Sequence, residues 1–465
     1  MFGRDPLFSP PATGLLSGLL AALLAALLHK LGSPQHQLKA GLGMVAILIV
    51  VAATLRPVFA LGLVVGLVPF EYHVYGVGTD EVLILSVAAI LLWRIQARRV
   101  PSWAIIASCA LVAGSFLTVV DAQARASALW GSVRWLGVLV LLAAAFSVLH
   151  DRREARRGLM DIITCSAVVV VGFAILQRAG IYVIVGAPYQ AGQISSTFGY
   201  YTVYGGFVGM AAVLVTGEVL QSFTSRETSR CLAYSLALIV ILLGVAVSLS
   251  RGALLCLGAG LVVLLVLNAR RASVLVKGIG LVAVLLAAGY AATPSTTRVE
   301  LFGRFSTPLG SQAEDQQRFA LQATGRTALA HHPLGLGYGN LSYYLAGHPV
   351  HGVKQLFFHS HQLPTQIGLD AGWLGLAGFL LLFVGAVGVA IRAGARGDIR
   401  STAFAAALCG LMAQGLFDYL FYEISMLVLW VALVFGATPP SVPMPPPDAR
   451  QWPSRTSPSH ITVSS

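Results

Sequence analysis

Charge is what this sequence has least of: only 10% of its 465 residues are Asp, Glu, Lys or Arg, while 57% are hydrophobic. A soluble domain with that balance would expose large apolar surface to water, so the composition excludes one and makes a lipid bilayer the solvent. Mean hydropathy is +0.80. Cysteine is scarce as well. Cys109, Cys165, Cys231, Cys256 and Cys409 all fall inside or at the ends of apolar runs, where they behave as small hydrophobes, and no disulfide framework is expected. Acidic residues number 18 against 30 basic ones, for a net charge of +12. The arginines are nevertheless scattered between apolar segments and form no contiguous patch, so a nucleic-acid partner is not expected. A clean cleavage site is also missing after the apolar stretch 15–28, which therefore reads as a first span and not as a removed signal.

What is there is a succession of apolar runs. Each crossing needs roughly 20 apolar residues, fewer where the bilayer is thin. Runs near 12–29, 41–55, 57–70, 81–95, 104–120, 130–149, 162–184, 201–220, 231–249, 252–268, 274–292, 371–392, 402–417 and 424–437 qualify. The expectation is an all-α polytopic membrane protein with about 12–14 transmembrane helices and one large extracytoplasmic loop containing short helices. The pair 41–55 and 57–70 is also readable as a re-entrant hairpin, because Pro57 disfavours a helical Arg56. The division that follows is 1–292 as helices one to about eleven, 293–365 as the loop, 366–437 as the last helices, and 438–465 as a Pro- and Ser-rich disordered tail in the cytoplasm.

Basic residues in short loops stay on the cytoplasmic side. Arg94/Arg98/Arg99, Arg152/Arg153/Arg156/Arg157, Arg226/Arg230, Arg270/Arg271/Lys277 and Arg392/Arg396/Arg400 alternate with poorly charged loops such as 71–80 and 185–200. That places both termini inside and the segment 293–365 outside, with Lys30 and Lys39 against the trend.

The outside segment holds six of the eleven histidines, His331, His332, His348, His351, His359 and His361. It also holds Arg298, Arg304, Arg318, Arg326 and Lys354. A connection of that length is seldom mere connection. Residues 311–330 read as an amphipathic helix, with Phe319, Leu321 and Leu329 among polar neighbours, ending at His332-Pro333. The glycine-rich stretch 335–345 then reads as a sharp structural turn and not a dinucleotide fingerprint, since no strand precedes it. His361, at the junction with the next span, is of the residue type that takes a proton near neutral pH and so is a candidate base. A helix cap and a His-x-His metal site remain open for it, although zinc would want three or four ligands in orderly spacing. Arg251, in Ser250-Arg251-Gly252 between two apolar helices, has no acidic neighbour in sequence and should face a cavity and meet an anion, unless it snorkels. Arg318 reads as either a second anion contact or a solvated charge beside Glu314 and Asp315. Two guanidinium forks suit a diphosphate better than lysines would.

These residues resemble the O-antigen ligase and Wzy-type polymerase family of bacterial membrane glycosyltransferases, with a GT-C-like membrane fold. The matching pieces are SRG at 250–252, Arg318 with the following HPLGLGYGN at 332–340, and His361-Gln362 with Asp370, Ala371 and Gly372. The likeness runs from about residue 190 to 437. It implies glycan transfer from an undecaprenyl-diphosphate-linked donor to an acceptor hydroxyl, such as that of lipid A-core or another glycan, in a bacterial inner membrane with the site facing the periplasm. It also implies inversion, no metal and no cofactor. Carried over, His361 is the general base and Arg251 and Arg318 hold the diphosphate, with His359, Arg326, Tyr338 and Gln193 as possible further contacts. The family pattern has Asn after the histidine and Glu nine residues on, where this chain has Gln362 and Asp370, and an arginine where it has Gln193. Ligase and polymerase both fit, with a slight lean to the ligase. A secondary transporter would show an internal repeat, which is not evident. A metal-dependent enzyme would use Asp80-Glu81, a pair that reads equally as a helix cap.

Overall fold

The computed structural model describes residues 57–67, 69–70, 73–74, 77–149, 154–181, 193–269, 293–306, 313–350 and 357–439, with Val353 and isolated positions between 276 and 291. The first helices are α1 (Pro57–Leu67), α2 (Thr79–Leu91), α3 (Ser102–Asp121), α4 (Arg125–Leu149) and α5 (Ala155–Arg178). Then come α6 (Tyr201–Thr224), α7 (Thr228–Ser248), α8 (Arg251–Leu267), α9 (Ser295–Ser306) and α10 (Ala313–His331). The series ends with α11 (Leu341–Gly347), α12 (Leu363–Ala395), α13 (Ile399–Gly415) and α14 (Ile424–Ala437). A two-residue antiparallel ladder pairs His73 with Gly78 and Val74 with Val77. The chain is an all-α polytopic membrane protein.

Among the described residues six helices, α3 to α7 and α12, are long and apolar enough to cross a membrane, and α1, α8 and α14 are shorter apolar helices. The expected spans 12–29 and 41–55, most of 274–292 and the tail from 440 lie outside the described residues. α12 begins at Leu363, eight residues before the run that hydropathy picks out at 371, because Gln366 and Asp370 interrupt the apolar pattern in sequence while being buried in the structure.

The centre of the bundle is α6 and α14, whose faces are buried almost all round; a helix apolar on every side has no solvent- or lipid-facing stripe to offer. Outer helices instead expose apolar side chains, such as Leu236 on α7, Val262 on α8 and Val384 on α12, that the bilayer covers. α12 lies along α3 at close range: a Cβ on Gly114 would stand 2.3 Å from the Ala371 oxygen, and one on Gly378 2.5 Å from the Ala107 oxygen. Small residues allow that approach, as they do wherever helices pack without a hydrophobic driving force.

One break sets up everything at one end of the bundle. Gly372, inside α12, has φ 67° and ψ −179°, which an L side chain would strain to adopt. The interrupted helix frees backbone groups, and the glycine-rich stretch takes them: Leu336 N and Gly337 N donate to the Leu369 oxygen at 2.7 and 2.9 Å, and Trp373 N donates to the Pro333 oxygen at 3.1 Å. Gly335 (φ 88°) touches this break so closely that a Cβ would lie 2.7 Å from Gly372 N. Asn340 closes the stretch, its Oδ1 accepting from Ala124 N at 2.7 Å in the α3–α4 connection. The sequence 332–340 is thus a structural seam that ties α10, α11, α12 and α3–α4 together, in line with the turn reading.

Candidate functional site

His361 sits at the mouth of α12 with φ 54°, a left-handed backbone that histidine adopts more readily than most residues. Gln322 of α10 donates through Nε2 to its carbonyl at 3.0 Å. Its ring Nδ1 is 3.3 Å from the Asp418 Oδ1, in the connection between α13 and α14. Asp418 is 6% exposed and also accepts from Tyr419 N at 2.9 Å. Burial pushes the Asp418 carboxyl up, but the hydrogen bond with His361 and the positive charge of Arg318 outweigh it and hold the group well below the usual carboxylate range.

His359 lies beside it, the two rings 4.2 Å apart, and stacks flat on Tyr422 at 5.3 Å. It is buried, and burial, together with the neighbouring His361 and the charge of Arg318, pushes its imidazole down to about 3. His359 therefore stays neutral at physiological pH. Its Nδ1 has no hydrogen-bond partner among the described residues. Phe357 and Phe358 complete an aromatic surround: Phe357 meets His361 edge-on at 5.6 Å, and Phe358 meets Tyr422 at 6.1 Å.

The SRG sequence has a local reason for its form. Leu249 ends α7 with φ 51°, and Ser250 caps α8, its Oγ accepting from Ala253 N at 3.2 Å. That places Arg251 on the first turn of α8, while Gly252 leaves room for Gln414 of α13, whose Nε2 would stand 3.0 Å from an added Cβ. Contrary to the sequence-based expectation, Arg251 does have an acidic neighbour: its Nη1 is 3.4 Å from the Asp315 Oδ2 on α10. Sequence proximity misled here, because Asp315 lies 64 residues away and reaches Arg251 only through the fold. Arg318, one turn along α10 from Asp315, points instead toward Tyr201, its Nη2 3.5 Å from the hydroxyl. α10 and the α8 start thus bring Arg251 and Arg318 to the same end of the bundle as His361.

Of the further candidates, Tyr338 packs its ring under the guanidinium of Arg134, 4.8 Å from the centroid. Arg134 is 2% exposed; it donates to the Tyr422 carbonyl at 2.7 Å and pairs with Glu81 at 3.0 Å. Glu81 is accordingly engaged by an arginine. Arg326 is exposed and reaches the Gln362 Oε1 at 3.4 Å, on the outer side of the His361 turn. Gln193 is buried at the start of the stretch leading to Tyr200 and Tyr201. Among the described residues no three His, Cys, Asp or Glu side chains cluster as metal ligands would.

Sequence reasoning missed Asp418, Tyr422 and Arg134. The signal for the first two was DYLFYE at 418–423, an acid among aromatics in a short inter-helix connection; nothing in the spacing linked it to His361.

Residues 236–380 match the model of the O-antigen ligase family. The match takes in Arg251, Arg318, His359, His361 and Asp370, while Arg134, on α4, and Asp418, in the α13–α14 connection, lie beyond its limits. No curated protein matches the chain.

Proposed function

We propose that this chain is a glycosyltransferase of the ligase type, moving a glycan from undecaprenyl diphosphate to an acceptor hydroxyl on the periplasmic face of the inner membrane, with 293–365 as the catalytic loop. The observation that carries this reading is the His361–Asp418 contact at 3.3 Å. An anionic carboxylate at Nδ1 fixes the neutral ring with its proton on Nδ1, so Nε2 presents its lone pair as a base. Nε2 accepts the proton of the acceptor hydroxyl as its oxygen attacks the anomeric carbon. The bond from that carbon to the diphosphate breaks on the opposite face, and the configuration inverts.

Negative charge then builds on the leaving diphosphate. Arg251 and Arg318 meet it with donors that keep their charge at any physiological pH. The amino end of α8, where Arg251 stands, adds its own backbone N–H groups to an anion site. No step in this scheme requires a metal, and transfer is expected to survive EDTA. Partners are the lipid-linked donor, a glycan acceptor such as lipid A-core, and the surrounding membrane lipid.

The experiment is to incubate purified protein with an undecaprenyl-diphosphate-linked glycan plus lipid A-core, or plus a second lipid-linked unit. One shifted band with lipid A-core supports the ligase. A ladder from the lipid-linked units alone makes the chain a polymerase, and no product from either pair contradicts the proposal.

A further inference from the structure

A ring of hydrogen bonds behind His361 uses polar side chains that the scheme above leaves without a task. Ser360 N donates to the Gln366 Oε1 at 2.7 Å, and Gln366 Nε2 donates to the Asp370 Oδ1 at 2.7 Å. The Tyr419 hydroxyl donates to the other oxygen of Asp370 at 3.0 Å. Tyr419 N donates to Asp418 at 2.9 Å, and Asp418 returns to His361 Nδ1. The circuit closes through the peptide bond between Ser360 and His361. Ser360, Gln366, Asp370 and Tyr419 are each 3% exposed or less.

Burying four polar groups in a chain this apolar is costly unless each is satisfied, and here each satisfies the next. The geometry also has a definite target. One arm of the ring holds the backbone just before His361, and the other holds the carboxylate that receives its side chain. The left-handed backbone of His361 needs surroundings that over-determine it, and the first arm together with Gln322 on its carbonyl supplies them. Asp370 is the one member that both arms share; its two oxygens each face a donor, as a carboxylate requires.

We propose that Gln366, Asp370 and Tyr419 are positioning residues that together fix the His361 imidazole on Asp418, a proposal that rests on the reading of His361 as the base. They touch neither donor nor acceptor. Opening the ring at any point therefore lowers the turnover rate and leaves substrate affinity alone. Because the ring acts as a unit, a second cut adds little to the first.

The test uses the full chain in detergent with Tyr419→Phe, which removes one oxygen, Gln366→Leu, which cuts the other arm, and the double variant. Protein labelled with 15N-histidine gives the Nδ1–H signal of His361, assigned by its loss in His361→Ala. The expected result is a signal protected from exchange in the unaltered chain and lost in both single variants. In the transfer assay kcat falls about 10- to 100-fold in each, KM for the lipid-linked glycan stays within about twofold, and the double variant is no slower than the worse single one. Persistence of the signal in both variants overturns the ring, as do losses that multiply in the double variant or appear only in KM. If instead His361→Ala still transfers glycan, the base reading fails, whatever the resonance shows.

Discussion

The two ends of this helix bundle use the same residue types in opposite ways. At the end where α6 finishes and α7 begins, Glu218 is fully buried and takes two bonds from Arg400, at 2.6 and 2.8 Å, and one from Arg230 at 2.9 Å. Arg230 also pairs with Asp161 at 2.6 Å, Arg156 with Asp398 at 2.7 Å and Arg157 with Glu227 at 2.7 Å. The Arg400–Glu218 pair is short, charge-assisted and bidentate, whereas Arg157–Glu227 is exposed and contributes little. At the opposite end the contacts of Arg251, Arg318 and His361 with Asp315, Tyr201 and Asp418 run from 3.3 to 3.5 Å. Positive charge at the first end is structure. At the second end Arg134 is engaged by Glu81 and the Tyr422 carbonyl, while Arg251 and Arg318 are, on the proposed reading, the charges that meet an anionic ligand.

The comparison breaks or sharpens under four substitutions. The largest effect is expected from Asp418→Asn, which leaves the shape of the site but lets the His361 ring take the wrong tautomer; transfer should fall roughly 10²- to 10⁴-fold, measured as kcat with folding unchanged. Next, Glu218→Ala removes the buried carboxylate that the partly exposed Arg400 and Arg230 share, and should destabilise the protein by up to about 3 kcal/mol in a detergent unfolding experiment, while transfer per folded molecule is kept. Arg251→Ala and Arg318→Ala should do the reverse, lowering kcat about 10²- to 10³-fold with little change in melting, and lysine should restore each only in part. A large melting shift from these arginines, or a large activity loss from Glu218, would erase the distinction between the ends.

The smallest effect concerns pH. The pKa of His359 is lowered in the folded chain to about 3, so the unfolded chain takes up a proton first as pH falls. Its contribution to stability is complete above the ordinary histidine value of about 6.5 and is lost progressively below it, by about 1 kcal/mol over the first pH unit. His359→Phe should flatten that part of the stability profile; an unchanged slope between pH 6.5 and 5.5 would show that His359 is not the group responsible.

The apolar runs were legible because a span needs only length and hydropathy, and every expected run that falls on described residues coincides with a helix. Arg251 stood out for a related reason, since an ionisable residue is conspicuous beside apolar sequence, whereas His361 stood out by its place at the junction of loop and span and Arg318 only through the family resemblance. Their partners were not legible. Asp418 is 57 residues from His361, and Asp315 is 64 from Arg251. Pairings of that kind are created by the packing of α10, α12 and α13, which no local period encodes. Gly372 and Asp370 were visible as a motif, yet the helix break at one and the bridging role of the other appear only once Leu369, Trp373 and Tyr419 are in place around them.

The central claim is that His361 is the base for glycan transfer, and His361→Ala in the purified, folded chain tests it most directly. With an undecaprenyl-diphosphate-linked glycan and lipid A-core, the unaltered chain should give a shifted product in the presence of EDTA and the variant should give none. Transfer by His361→Ala at close to the unaltered rate would contradict the account.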